Sequence, residues 1–119
     1  MPMQDSRKYI RITDFLDVNY HVIQPPDGTY STCSENISEG GVCLPTDQNL
    51  QPGMILKLEI HIPSSSNPVI AIAEIVWVKE SAVVELKRGV SYRFVMGLKF
   101  NNIEPTDYKA VMGYIKAKT

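Results

Sequence analysis

Met54-Ile55-Leu56-Lys57-Leu58-Glu59-Ile60-His61-Ile62 is the stretch that decides the fold. Met54, Leu56, Leu58, Ile60 and Ile62 take one side, and Lys57, Glu59 and His61 take the other. A period of two sends successive side chains to opposite faces of an extended chain, so this is a strand with one face buried. Pro63-Ser64-Ser65-Ser66-Asn67-Pro68 breaks it. Val69 to Val78 then runs nearly continuously apolar, which suits a central or strongly coiled strand covered on both faces. Residues 81–91 read as a loop or hairpin tip exposing Lys87, Arg88 and Gly89. Beyond them Tyr92, Phe94, Met96, Leu98 and Phe100 alternate with Arg93, Gly97 and Lys99.

The same period holds upstream. Leu16, Val18, Tyr20 and Val22 alternate with Asp17, Asn19 and His21, and Pro25-Pro26-Asp27-Gly28 closes that strand as a turn. Thr29-Tyr30-Ser31-Thr32-Cys33 is a short β-branched and aromatic strand. Asn36-Ile37-Ser38-Glu39-Gly40-Gly41 is a second turn, followed by the apolar run Val42-Cys43-Leu44. At the C-terminus the period changes. Pro105 suits the first turn of a helix, and Tyr108, Val111, Met112 and Ile115 form one apolar stripe along it. Gly113 weakens that helix by about 1 kcal/mol relative to alanine, so it needs the β core for support. Six short strands and one helix predict an all-β domain, a six-stranded antiparallel barrel with a C-terminal α-helix. Residues 1–14 are polar and form a flexible N-terminal arm, leaving 15–119 as the barrel and helix.

Length and composition narrow the function. At 119 residues the chain has room for one domain, and 44% hydrophobic with 21% charged residues excludes disorder. The formal net charge of -1 supplies no overall field for nucleic acid or a membrane surface. No apolar run reaches ~18 residues, and the opening MPMQDSRKY is too polar for a secretion signal, which predicts a cytoplasmic protein without membrane insertion. Cys33 and Cys43, ten positions apart, form no Cys-x-x-Cys pair, and His21 and His61 stand on the polar side of their strands. These residues predict no metal site and no cofactor. No Ser or Cys is placed beside a base held by a third group, so no catalytic residue is nominated and an enzyme is not expected.

Two motifs carry chemistry. Arg7-Lys8-Tyr9-Ile10-Arg11 places two arginines four residues apart, on one side of either an extended chain or a helix. In an extended arm their forks stand roughly 13 Å apart, at ~3.3 Å per residue. Guanidinium binds phosphate oxygens bidentately and stacks on aromatic faces, so the pair suits a ligand with phosphates beside flat bases. A charged arm facing solvent accounts for the same residues. Asn36, Ser38 and Gly41 supply an amide, a hydroxyl and a backbone that admits a close neighbour, groups able to read a purine edge. A turn whose Asn36 and Ser38 bond their own backbone accounts for these as well.

Taken together, the motifs resemble those of the PilZ domain, the bacterial receptor for the second messenger cyclic di-GMP. Arg7 and Arg11 match its R-x-x-x-R, and Asn36, Ser38 and Gly41 match its [D/N]-x-S-x-x-G at every fixed position. Residues 36–44, Ala73-Glu74-Ile75-Val76-Trp77-Val78 and Gly97-Leu98-Lys99-Phe100 are similar to the family too, and the likeness runs over roughly 5–116. The resemblance implies a six-stranded barrel whose arm wraps the ligand. Arg7 and Arg11 would contact phosphate and stack on guanine, Asn36 and Ser38 would bond a guanine edge, and Gly41 would admit the backbone's close approach. With room for one domain and no second to carry an output, the expected role is a stand-alone adaptor that does no chemistry. Its arm would order on binding and change a surface for an unidentified protein effector. The alternative is a PilZ-like interaction module that binds protein and no nucleotide, which an exposed patch including Trp77 would favour over Trp77 as core filling. A single-strand nucleic-acid binder would want a basic groove interleaved with aromatics, against only 8% aromatic residues here.

Overall fold

The computed structural model describes residues 16–24, 28–63, 65–87 and 90–118. The expected arm 1–14 with Arg7 and Arg11, the Pro25-Pro26-Asp27 part of the first turn, and Arg88-Gly89 lie outside them. Among the described residues the period-two stretches form strands β1 (Asp17–Gln24), β2 (Thr29–Cys33), β3 (Asn36–Ile37), β4 (Gly41–Thr46), β5 (Ile55–Ile60), β6 (Val69–Lys87) and β7 (Val90–Ile103). Helix α1 spans Pro105–Lys118. The strands make one sheet, antiparallel as expected, in the order β2-β1-β5-β6-β7-β4-β3. The sheet curls until its ends meet. The Thr32 hydroxyl donates to the Pro45 carbonyl at 2.8 Å, joining β2 to β4, and the Tyr20 and Thr46 hydroxyls share a buried 2.5 Å hydrogen bond.

One expectation changes in detail and one choice is decided. The strands number seven rather than six because Asn36 and Ile37, read as part of a turn, pair with Cys43 and Val42. Of the two readings of 81–91, loop or hairpin tip, the structure shows the hairpin: β6 and β7 run on toward it, pairing Val84 with Tyr92 and Lys87 with Val90. Pro45 does not end β4. With β3 pairing only Val42 and Cys43, β4 is an edge beyond that point, where a missing N–H leaves no partner unsatisfied.

Leu56, Leu58 and Ile60 of β5 face the core together with Val18, Tyr20 and Val22 of β1 and Ala73 and Ile75 of β6. Each large aliphatic side chain buried this way contributes about 1.5–3 kcal/mol. Pro52-Gly53 starts β5 with a tight turn that needs the left-handed backbone of Gly53 (φ 96°). Helix α1 buries Val111 and Ile115 as its stripe predicts, with Tyr114 beside them, while Tyr108 and Met112 are half-buried. Asp107 in its first turn accepts the Ile70 N–H at 3.2 Å, tying the helix to the start of β6.

Candidate functional site

The motif Asn36 to Gly41 is a two-residue strand and the turn that returns it. The Ser38 N–H donates to the Gly41 carbonyl at 2.9 Å, and the Gly40 N–H donates to Ser38 Oγ at 3.3 Å. Ser38 Oγ also reaches the Gly41 carbonyl at 3.4 Å, so this serine closes its own turn. The Phe100 N–H donates to the Gly40 carbonyl at 3.0 Å and pins the turn to β7. Gly41 has a packing reason of its own. A Cβ there would overlap the Leu98 carbonyl oxygen, so glycine lets β4 approach the backbone of β7.

Register aligns further residues with the motif. Asn36 pairs with Cys43, Cys43 with Gly97, and Gly97 with Trp77, one row across β3, β4, β7 and β6. Gly41 pairs with Lys99, and Lys99 with Glu74, in the next row but one. Between them Val42, Leu98 and Ile75 belong to the core, so the two flanking rows lie on the outer face. A Cβ on Gly97 would collide with the Trp77 ring, because the indole lies across that glycine. Trp77 is therefore half-buried on the outer face rather than core filling, and the Lys79 ammonium stands 5.4 Å from its ring centroid. Lys99, Lys79 and Arg93 are exposed, and Lys99 stands directly beside Gly41. This outer face thus carries Gly97 and Trp77, with Lys99, Lys79 and Arg93 exposed and Glu74 paired across from Lys99.

The structure sets Asn36 on β3, Ser38 in the turn that follows and Gly41 at the start of β4; Arg7 and Arg11 fall outside the described residues. Sequence reasoning alone missed the Gly97–Trp77 contact, whose only local signal was a glycine inside an alternating strand. Two open grooves elsewhere, lined by residues such as Asn19, His21, Lys57, Asp17, His61 and Tyr92, include no motif residue. Among the described residues no group of three or more His, Cys, Asp or Glu could hold a metal ion, and no helix is long and apolar enough to cross a membrane.

Comparison with known proteins places this geometry. No curated protein sequence matches the chain significantly. Solved structures of similar fold include the Bacillus subtilis inhibitor of motility MotI/DgrA, at 24% identity and TM-score 0.74 over 96% of this chain and 51% of that one. The PilZ domain of Escherichia coli YcgR, solved with c-di-GMP, is 17% identical with TM-score 0.70 over 96% of this chain and 92% of that one. The K. pneumonia MrkH–c-di-GMP complex is 15% identical with TM-score 0.66 over 95% of this chain and 52% of that one. The chain thus spans about half the length of the MotI and MrkH chains. At these identities the likeness is one of fold. The sequence itself matches the family model described as PilZ domain over residues 5–117, and on that match, with a curled antiparallel sheet and C-terminal helix to accompany it, the chain belongs to the PilZ domain family.

Proposed function

We propose that this PilZ domain is a cyclic di-GMP receptor that does no chemistry on its ligand. The observation that carries the reading is the register that sets the Asn36–Gly41 turn beside Lys99 and the Gly97–Trp77 floor on one outer face. A flat, doubly charged dinucleotide suits a flat indole and exposed cations. Asn36 and Ser38 would bond a guanine edge, and the Ser38 hydroxyl would exchange its long 3.4 Å bond to Gly41 for one to the base. Arg7 and Arg11 would close from the arm 1–14, contacting phosphate and stacking on guanine. Charge-assisted bonds at about 1.5–3 kcal/mol each and stacking at roughly 1–3 yield a micromolar complex, about -8 kcal/mol, after the arm is ordered. Ordering of the arm would then create or hide a surface for a protein effector, making the chain a cytoplasmic adaptor. Val76, 47% exposed, and Ile23, 39% exposed, are the apolar side chains that favour a second reading, a protein-binding module without nucleotide.

A calorimetric titration with cyclic di-GMP, set against GTP and cyclic GMP, separates the two. Trp77 is the sole tryptophan, so its fluorescence reports on the proposed face during the same titration. Saturable binding of cyclic di-GMP alone, with amide NMR shifts at Arg7, Arg11, Asn36 and Ser38, is the expected result. Amides that stay still at millimolar ligand refute it. Arg7→Lys should weaken binding about a hundredfold, the equivalent of roughly 3 kcal/mol, because a point charge cannot replace a stacked fork.

A further inference from the structure

Two carboxylates bracket the motif turn, and each is held by a neutral donor. Glu35 precedes Asn36, and the Cys43 thiol donates to its Oε1 at 3.2 Å. Glu39 lies inside the turn, between Ser38 and Gly40, and the Tyr108 hydroxyl donates to its Oε2 at 3.1 Å. Tyr108 comes from the first turns of α1, whose Val111 and Ile115 belong to the core cluster, so the bond ties the turn to the helix. Sixty-nine positions separate the two residues, and nothing local in the sequence links them. An acidic residue next to Ser38 is unfavourable for an anion site, since a free carboxylate there would face the phosphates.

We propose that Tyr108 is a positioning residue for the nucleotide site: by holding the Glu39 carboxylate on the helix side of the turn, it keeps a negative charge away from the ligand's phosphodiesters. The proposal rests on the cyclic di-GMP reading above. It gives Glu39 no contact with the ligand, so its effect is electrostatic and screened by salt. The hydrogen bond also anchors the turn to α1, but anchoring alone would not depend on the charge of Glu39.

Titration of the full chain with cyclic di-GMP tests this through Tyr108→Phe, Glu39→Gln and the double variant. Tyr108→Phe should weaken binding about fivefold at low salt and less at high salt, as expected of one released like charge near the surface. Glu39→Gln should bind at least as tightly as the wild type, and the double variant should return to within about twofold of it. Tyr108→Phe binding like the wild type overturns the proposal, as does a double variant that stays as weak as Tyr108→Phe. Either result leaves the receptor reading intact; a wild type that does not bind at millimolar ligand removes both.

Discussion

Replacing Gly41 by alanine tests whether the motif glycine serves the fold before it serves a ligand. The added Cβ would overlap the Leu98 carbonyl oxygen, with the Leu98 carbonyl carbon at 3.1 Å and Lys99 Cα at 3.3 Å. All three atoms are backbone, so no flexible side chain can swing aside. Relief requires β4 and β7 to part at this end of their ladder, where the Phe100 N–H bonds the Gly40 carbonyl. Overpacking of this kind costs about 1–3 kcal/mol, and a strained or broken hydrogen bond adds about 1. A loss of about 3 kcal/mol is a large part of the roughly 5–15 available to a domain. At about 4 °C per kcal/mol for this chain length, Tm should fall by about 12 °C. Calorimetry gives the Tm, and urea unfolding followed by Trp77 fluorescence should show a lower midpoint at an unchanged slope. A Gly41→Ala variant melting within about 2 °C of the wild type refutes the packing argument and returns the glycine to a purely ligand-directed role.

Gly113 predicts the opposite sign: it is exposed on α1 and a Cβ there meets nothing within 4 Å, so Gly113→Ala should stabilise by about 1 kcal/mol in the same unfolding assay. Burial pushes the Tyr20 phenol from 10.0 up to about 12, with the Thr46 hydrogen bond acting the other way. The folded chain therefore keeps a proton that the unfolded chain releases. Stability should be unaffected by this group below pH 10 and fall between about 10 and 12 by at most about 1.4 kcal/mol per pH unit, a slope that Tyr20→Phe should lack in urea titrations. Thr32→Val removes the hydroxyl that joins β2 to β4 at the Pro45 carbonyl and should lower the urea midpoint by the equivalent of about 1–2 kcal/mol.

Legibility along the chain followed how local each signal was. The alternation of β5 and β1 predicted their buried faces residue by residue, because Leu56, Leu58, Ile60, Val18, Tyr20 and Val22 sit at a fixed period that burial requires. Over 81–91 the sequence left loop and hairpin tip both open, since the pairing there is set by the opposite strand rather than by a clear alternation of its own. Asn36 and Ile37 likewise look like turn residues until Val42 and Cys43 arrive to pair with them. At the candidate site, the motif spacing of Asn36, Ser38 and Gly41 was visible, but the reason for Gly41 lay in Leu98, fifty-seven positions away. Trp77 carried too little local information to tell core from surface, and the contact that decides it is with Gly97.

Periodicity and motif spacing, properties of neighbours along the chain, determined on their own that this protein is a β structure with one C-terminal helix and a polar turn near Ser38. Closure of the sheet between Thr32 and Pro45, the floor made by Gly97 under Trp77, and the grip of Tyr108 on Glu39 were decided only in three dimensions. Each joins residues far apart in sequence, and the energy of such a contact depends on distances that no local pattern encodes.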